Sequence, residues 1–402
     1  MSYTELPFYS VIKGLSSVLV FSDDDIDHQL EKYILYHTHG TKFETLAAMV
    51  FHKRLPEESM RSWLSGKQFE GVMRSITKSF GENQRICLAV IGPDYDVEGG
   101  LTTQCTFPDI QVVDEKNVWR DLGSKTGTLY LRNVALFPSD FIVACSHLQE
   151  LYLDGSVHLS HPKTRPETRW LPPLRAITVV GESALASILE PVRPSPTAPY
   201  FFTLALLNKL VVASTLIWND PQIEYAFVTL IGISNKTLNQ VFIYGDVGNL
   251  LASKMTQRKV SHHAVLITIP NTQHIGRKWA TICKIVPSLH DSKYLNRITI
   301  EMRGPYKRAD HDMLDVSELT VDWDAFLDAF KYFQGQWAVT IRVTITRTYM
   351  QYASEQERAH SYYYTHYLAP ALARRYNFSS NAPIYHRSHT EPYMEINSRL
   401  AN

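Results

Sequence analysis

The stretch AVTIRVTIT (residues 338–346) sets the fold class from which the rest of the chain can be interpreted. Its apolar residues are Val339, Ile341, Val343 and Ile345, and polar residues occupy the three positions between them. Because successive side chains of a strand point to opposite faces of its sheet, this alternation predicts a strand with one buried face. The β-branched residues that fill the stretch favour the same structure.

Other segments show the periodicities of strands and helices in turn. Strand patterns occur in ICLAVIG (86–92), TLYLRNVALF (128–137), IEYAFVTLIGI (223–233), QVFIYGD (240–246) and HAVLITI (263–269). Helical patterns occur in FETLAAMVFHK (43–53), KQFEGVMRSITKSF (67–80), SDFIVACSHLQELYL (139–153), GESALASIL (181–189), YFFTLALLNKLVVASTLIW (200–218) and DWDAFLDAFKYF (322–333). No internal repeat is evident. The sequence therefore predicts a mixed α+β fold, with a helical N-terminal part and a C-terminal part of helices and β-sheet.

Proline marks the predicted boundary between domains. Residues 162–199 contain eight of the 20 prolines, and proline fixes φ and removes a backbone donor, so this region is expected to be extended. Four parts follow: a mainly helical N-terminal domain with a few strands (1–161), a Pro-rich connection or arm (162–199), a mixed α/β domain (200–348) and a Tyr-rich C-terminal docking segment (349–402).

Composition excludes several function classes. Forty basic residues balance 40 acidic ones, so bulk charge marks neither a nucleic-acid nor a membrane-surface protein. The four cysteines are far apart, which predicts buried free thiols rather than disulfides or a zinc site. No nucleotide-binding, hydrolase or metal motif is present. We therefore expect no enzyme, no cofactor, no metal and no membrane span.

Histidines and aspartates are the remaining candidates for chemistry. The histidine pairs are His37 and His39, His158 and His161, His262 and His263, and His386 and His389. Their spacing fits capping, packing or interface roles better than metal ligation. Asp310, Asp312 and Asp315 lie around His311, which suits either a metal or acid–base site or a solvated turn. A metal-dependent enzyme built on these aspartates is the third-ranked hypothesis.

Charge segregation is the most informative functional signal. Residues 254–309, the basic block, contain eleven Lys and Arg against two acidic residues, and residues 310–328, the acidic block, contain seven acidic residues and no basic one. These blocks could pair internally, contact another protein, or bind RNA. The candidate contact residues are Lys254, Arg258, Lys259, Arg277, Lys278, Arg303, Lys307 and Arg308.

Tyrosines are concentrated near the C-terminus. Nine of the 22 lie between Tyr349 and Tyr393, and the candidate docking aromatics are Tyr362, Tyr363, Tyr364 and Tyr367. Stacking on bases would need a basic groove, but residues 349–402 contain five Arg and no Lys against four Glu. Packing against the chain's own fold or against a neighbouring protein is the favoured interpretation.

The stretches LLNKLVVASTLIWNDPQIEYAFVTLIGI (206–233) and MTQRKVSHHAVLITIPNTQHIGRKWATICKI (255–285) resemble the central region of the inner-capsid clamp proteins of turreted reoviruses. The resemblance covers residues 199–285: an apolar helix, then aromatic strands, then a strand and a helix with Trp279. It implies a non-enzymatic protein that bridges and stabilises inner-shell subunits of a double-stranded-RNA virus. Its partners would be the shell protein and further copies in the capsid, and its location the virion and the host cytoplasm.

A viral nucleoprotein is the alternative, with RNA bound along the basic block. Such a protein would hold RNA through the Lys and Arg residues between Lys254 and Arg308, and its affinity would fall steeply with salt. A clamp would instead need its capsid partner and carry little RNA.

Overall fold

The computed structural model describes a defined subset of the chain. The described residues are 17–22, 45–50, 67–79, 85–92, 105–106, 118–160, 171–193, 202–246, 250, 264–269, 275–305, 307–309, 313–315, 321–331, 333, 337–346, 361–362, 365–366, 370, 378–380, 384–386 and 393–400. The chain forms two compact units. Unit 1 comprises Met1–Pro191 and Ser195–Leu207, and unit 2 comprises Val192–Pro194 and Asn208–Asn402. The four-part division expected from the sequence stays a prediction.

Unit 1 contains a parallel sheet whose strand order follows the chain. Its strands are β1 (Ser17–Ser22), β2 (Thr45–Val50), β3 (Ile86–Ile91), β4 (Cys105–Thr106), β5 (Thr126–Arg132), β6 (Val134–Ala135), β7 (Phe137–Pro138), β8 (Glu150–Asp154), β9 (Leu159–Ser160) and β10 (Ala176–Val180). Its helices are α1 (Lys67–Ser79), α2 (Val118–Lys125), α3 (Ser139–Ala144) and α4 (Glu182–Leu189). The main sheet has the order β1-β2-β3-β5-β8-β10, and every neighbouring pair is parallel.

Unit 2 is built on the same principle and ends in antiparallel strands. Its strands are β11 (Lys209–Ala213), β12 (Gln240–Tyr244), β13 (Ala264–Ile269), β14 (Arg297–Pro305), β15 (Lys307–Ala309), β16 (Met313–Asp315), β17 (Trp337–Thr346), β18 (Phe378–Ser380), β19 (Ile384–His386) and β20 (Tyr393–Leu400). Its helices are α5 (Leu216–Asn219), α6 (Pro221–Ser234), α7 (Ile275–Ser288) and α8 (Trp323–Asp328). Strands β11, β12, β13, β14 and β17 pair in that order and in parallel. Strand β20 pairs antiparallel with β17, β18 and β19.

An apolar pattern accompanies these sequentially ordered strands. Five of these strands share a pattern of three apolar residues, in which the second follows the first by three positions and the third follows the second by two. The pattern occurs at 148, 151 and 153; 174, 177 and 179; 207, 210 and 212; 238, 241 and 243; and 295, 298 and 300. All fifteen are buried. The same spacing occurs in leucine-rich repeats, in which neighbouring repeats stack and share one continuous core. The expected absence of an internal repeat stays a prediction, because this spacing is missing from β13 and β17 and has no fixed period.

The distance along the chain between successive strands varies. Strand β8 begins at Glu150 and β10 at Ala176, which are 26 residues apart, whereas β14 begins at Arg297 and β17 at Trp337, 40 residues apart. A fixed period is the usual signature of a repeat, and none is present here. Only the register of the strands brings the equivalent apolar positions together.

The α+β class is confirmed, together with many of the predicted elements. Strands β3, β5, β12 and β13 and helices α1 and α4 lie where the patterns predicted them. Strand β17 is half-buried as predicted, since Val339, Ile341 and Val343 are buried and the residues between them are partly exposed. Helix α8 begins after Asp322, whose Oδ1 accepts a hydrogen bond from the Ala325 amide at 2.9 Å.

Two helices predicted from apolar content are wrong. Residues 43–53 contain strand β2, and residues 200–218 contain strand β11 and the four-residue helix α5. Strand β11 has four consecutive buried residues after Lys209. A parallel strand covered on both faces has a continuous apolar run, which periodicity cannot distinguish from a buried helix.

Two further predictions need correction at residues 139–153 and 223–233. The predicted helix at 139–153 ends at Ala144, and β8 begins at Glu150. The predicted strand at 223–233 is helix α6. Its signal was the preceding Asp220-Pro221, an N-cap followed by proline at the first helical position.

The cap of α6 gives a first testable prediction. Asp220 Oδ1 accepts hydrogen bonds from the amides of Gln222 (2.8 Å) and Ile223 (3.4 Å). Asp220→Ala is therefore expected to lower the free energy of unfolding by about 1 kcal/mol in urea denaturation. Asp220→Asn keeps an acceptor and should retain most of that stability. If Asp220→Ala is as stable as the wild type, the cap contributes nothing to α6.

Among the helices of the described ranges, none is both long enough and apolar enough to cross a bilayer.

Candidate protein-binding face

One face of the unit 1 sheet is buried and the other is partly exposed. In β5 and β8, Leu129, Leu131, Leu151 and Leu153 are fully buried, and the residues that alternate with them point to the opposite side. Crossovers between parallel strands are almost always right-handed, so sequential strand order places the connecting helices on one side of the sheet. We call the other side of β3, β5, β8 and β10 the open face.

The open face consists of three rows of residues in register across four strands. The first row is Cys87, Thr128, Glu150 and Ala176; the second is Ala89, Tyr130, Tyr152 and Thr178; the third is Ile91, Arg132, Asp154 and Val180. The partly exposed members are Cys87, Thr128, Arg132, Glu150, Tyr152, Asp154 and Thr178. The apolar members and Tyr130 are buried. Polar and aromatic groups are therefore concentrated on β5 and β8.

Two tyrosines and two carboxylates organise the centre of this face. The Tyr130 hydroxyl donates to Asp154 Oδ2 at 2.8 Å, and the Tyr152 hydroxyl donates to Glu150 Oε2 at 3.1 Å. The two rings lie side by side, with centroids 6.4 Å apart and planes 37° apart. Because Glu150 begins β8 and Asp154 ends it, the two hydroxyls point in opposite directions along the strands.

Charge is compensated at one end of this arrangement. Arg132 Nη1 lies 3.7 Å from Asp154 Oδ2, and both side chains are about a quarter exposed (23% and 28%). Glu150 has Thr128 and Ala176 as its neighbours in register, and neither carries a charge. The described face therefore has an ion pair at the strand ends and, at the strand starts, a carboxylate for which no salt bridge is described.

The titratable hydroxyls and thiol of this face stay neutral. Burial raises the pKa of Tyr130, and the Asp154 carboxylate raises it further. Burial, with a contribution from Glu150, likewise raises the pKa of Tyr152. The same two causes raise the pKa of the Cys87 thiol to about 12. At physiological pH the tyrosines therefore remain hydrogen-bond donors and Cys87 is not a thiolate nucleophile.

A ladder of tight backbone contacts fixes the ends of these strands. The Gly92 amide donates to the Arg132 carbonyl (2.7 Å), the Asn133 amide to the Asp154 carbonyl (3.2 Å) and the Gly155 amide to the Val180 carbonyl (2.7 Å). Asn133 has φ 50°, and its Oδ1 accepts from the Ser156 amide at 3.1 Å. Gly155 and Gly181 also have positive φ, at 71° and 115°. These contacts hold neighbouring strands in fixed register, so the open face is preorganised.

The described residues contain no cluster of side chains that could bind a metal ion. Among the described residues, no three His, Cys, Asp or Glu side chains are grouped closely enough to hold a metal ion. Asp310, His311 and Asp312 lie outside the described residues, as does at least one member of every histidine pair. Cys87, Cys145 and Cys283 are free thiols, and only Cys145 of these three is fully buried.

The predicted contact residues of the basic block lie in different environments. Arg277 is exposed on α7 and donates to the Asn219 carbonyl at 2.9 Å. Lys278 is buried with 8% exposure; burial lowers its pKa, and Asp246 opposes that effect. The side chains of Arg303, Lys307 and Arg308, which lie in β14 and β15, are outside the described part, as are Lys254, Arg258 and Lys259.

The basic and acidic blocks are brought together within unit 2. Strands β15 and β16 form a hairpin in which Lys307 lies opposite Asp315. Helix α7 of the basic block packs against α8 of the acidic block. The Trp279 indole nitrogen donates to the Asp322 carbonyl at 2.8 Å. Of the three interpretations of the charge segregation, internal pairing is the one that this geometry favours.

One predicted docking tyrosine is described. Tyr362 is half-buried, and its ring stacks on that of His366, with centroids 4.0 Å apart. The other three, Tyr363, Tyr364 and Tyr367, lie outside the described residues. The docking role of these four tyrosines stays a prediction.

The open-face residues were missed from the sequence, although a signal for them exists. The segments TLYLR (128–132) and ELYLD (150–154) share a central Leu-Tyr-Leu with polar residues at both ends. Two parallel strands in this register must place their tyrosines side by side, but the register is known only from the structure. No family model matches the chain, and no curated protein or solved structure is significantly similar to it.

Proposed function

We propose that this chain is a non-catalytic recognition subunit that binds another protein through the open face of unit 1. The observation that carries this proposal is a rigid parallel sheet with buried leucines on one side and partly exposed Tyr, Arg, Glu and Asp on the other. Tyr and Arg are enriched at protein interfaces, and ordered side chains lose little entropy on binding.

The hydrogen bonds of this face favour adhesion over catalysis. A general base or nucleophile must be able to exchange a proton near neutral pH. Tyr130 and Tyr152 have raised pKa values, and the Cys87 thiol has a pKa of about 12. Asp154 is bound by a tyrosine hydroxyl and lies beside Arg132. This face can therefore hold a partner's polar groups without performing chemistry on them.

A capsid clamp of a double-stranded-RNA virus is the narrower form of this proposal. It would make the partner an inner-shell protein and place the chain in virions and the host cytoplasm. This setting depends on the sequence resemblance alone. The helix followed by strands on which that resemblance rested is, in this chain, strand β11 followed by helices α5 and α6. The general proposal of protein recognition does not depend on it.

The nucleoprotein alternative has less geometric support. RNA binding along residues 254–309 requires basic side chains that face a polyanion. Lys278 is buried, Lys284 pairs with the Glu224 carboxylate, and the block adjoins its acidic neighbour in the β15–β16 hairpin. RNA binding stays a prediction, and so does the metal-dependent enzyme.

Affinity capture with matched variants tests the proposal. Thr178 is partly exposed on the open face, and Ser183 is partly exposed on α4 in the connection that follows β10. Thr178→Arg adds a bulky cation to the open face, and Ser183→Arg adds the same group elsewhere in unit 1. We expect proteins captured from the producing cells with the wild type to be recovered about tenfold less with Thr178→Arg, the effect of losing about 1.4 kcal/mol.

The Ser183→Arg variant serves as the control for this experiment. It should recover the same proteins as the wild type, and both variants should unfold at similar temperatures. Equal recovery with Thr178→Arg and with the wild type would contradict binding at the open face. Nucleic acid in place of protein in the captured material would favour the nucleoprotein alternative.

A further inference from the structure

A carboxylate of the open face without a described salt bridge indicates what kind of group its partner offers. Glu150 and Asp154 are both partly exposed, but only Asp154 has a described cation beside it. The described polar contact of the Glu150 side chain is the Tyr152 hydroxyl at 3.1 Å. A carboxylate can accept several hydrogen bonds, so Glu150 retains acceptor positions after this contact. A cationic donor is the complement that such a carboxylate requires.

The surroundings of Glu150 leave room for a side chain to approach. Its neighbours in register are Thr128 on β5 and Ala176 on β10, and both side chains are short. The next row holds the much larger Tyr130 and Tyr152. Short side chains therefore flank the partly exposed Glu150, and aromatic rings lie in the next row.

Tyr152 contributes an aromatic surface beside the carboxylate. Its ring is only partly buried, and it packs against Tyr130 on the side toward β5. Its hydroxyl is tied to Glu150, so the orientation of the ring is fixed. Aromatic rings attract cations at their faces, and an anion beside the ring adds to that attraction. Carboxylate and ring thus favour the same kind of group.

We propose that Glu150 and Tyr152 form a subsite for a Lys or Arg side chain of the protein partner. This inference rests on the proposed function, because it names the chemistry of the partner at the open face. The cation donates to the free acceptor positions of Glu150 and lies along the ring of Tyr152. The same carboxylate repels polyanions, so nucleic acid is not the occupant of this subsite.

Random peptides displayed on phage provide a defined probe for this subsite. The library is selected on the full-length wild-type chain after removal of peptides that also bind Thr178→Arg, so the survivors require the open face. We expect the surviving peptides to share Lys or Arg at one position. Their affinity for Glu150→Gln should be about tenfold lower than for the wild type, as expected for the loss of a charge-assisted hydrogen bond.

Two variants complete the design. Asp121→Asn changes an exposed carboxylate on α2 in the same way and should leave the affinity unchanged. Tyr152→Leu removes the aromatic surface and should also weaken binding, more for Arg peptides than for peptides changed to norleucine at that position.

The outcomes separate the inference from the proposed function. Surviving peptides without Lys or Arg, or peptides that bind Glu150→Gln as well as the wild type, would overturn the subsite and leave protein recognition intact. A library with no survivors would overturn the subsite too, because a partly exposed cation site must bind such peptides. The proposed function itself fails if Thr178→Arg captures the same proteins as the wild type.

Discussion

Replacing Gly181 with alanine is expected to lower the free energy of unfolding by about 3 kcal/mol, one of the two largest effects expected in this chain. Gly181 has φ 115° and ψ 162°, a region that is essentially restricted to glycine. A Cβ at this position would lie 2.5 Å from the Gly155 carbonyl oxygen, closer than atoms can approach. Because the obstacle is backbone, the strands themselves would have to separate.

Helix α6 offers a matched control for this substitution. Gly232 lies in α6, and a Cβ there would meet nothing within 4 Å. Gly232→Ala should raise the free energy of unfolding by about 0.5–1 kcal/mol, because alanine favours the helix. Thermal and urea denaturation of both variants measure the difference. If Gly181→Ala unfolds at the wild-type midpoint, the tight contact between the ends of β8 and β10 is not part of the folded state.

Replacing Trp279 with alanine should cost unit 2 about 3–5 kcal/mol, as large aromatic deletions in protein cores do. Trp279 is almost completely buried, at 1% exposure. Its ring centroid lies 4.7 Å from that of Trp323 and 5.1 Å from that of Phe326, and its indole nitrogen donates to the Asp322 carbonyl. The substitution therefore opens a cavity where α7 meets α8 and removes the indole donor of the Asp322 carbonyl, which keeps its hydrogen bond from the Phe326 amide.

The Trp279→Phe substitution separates the contribution of aromatic packing to stability from that of the indole hydrogen bond. Trp279→Phe keeps most of the aromatic contact and loses the indole donor, so a smaller loss of about 1–2 kcal/mol is expected. Circular dichroism during urea denaturation follows both variants without relying on tryptophan fluorescence. Equal losses for alanine and phenylalanine would assign the stability to the hydrogen bond, and no loss for alanine would contradict the aromatic core.

The sequence predicted those elements that have a clear local pattern, such as alternating apolar residues in a strand or a capping residue at the start of a helix. Strand β17 alternates over its length and is half-buried, and α8 has its cap at Asp322. Elements inside the core were harder to predict from the sequence. Strand β11, for example, is covered on both faces, and its continuous apolar run is also typical of a buried helix. Helix α6 was missed because Ile, Val and Phe outweighed the Asp220-Pro221 start signal.

The open face could not be predicted, because it depends on register between segments distant in the chain. Nothing local places Tyr130 beside Tyr152, since the segment between them contains α3 and the short strands β6 and β7. The charge blocks are obvious in the sequence, but only the structure shows that their ends lie opposite each other in the β15–β16 hairpin. Net charge over a segment does not say which charges face solvent.

Hydroxyl-radical footprinting of the chain with and without its captured protein partner tests binding at the open face most directly. Tyr152 is partly exposed on that face, and Tyr225, 56% exposed on α6, is an internal reference of the same residue type. The partner should protect Tyr152 from oxidation several-fold and leave Tyr225 unchanged. Unchanged oxidation of Tyr152, or protection of Tyr225 alone, would contradict the account.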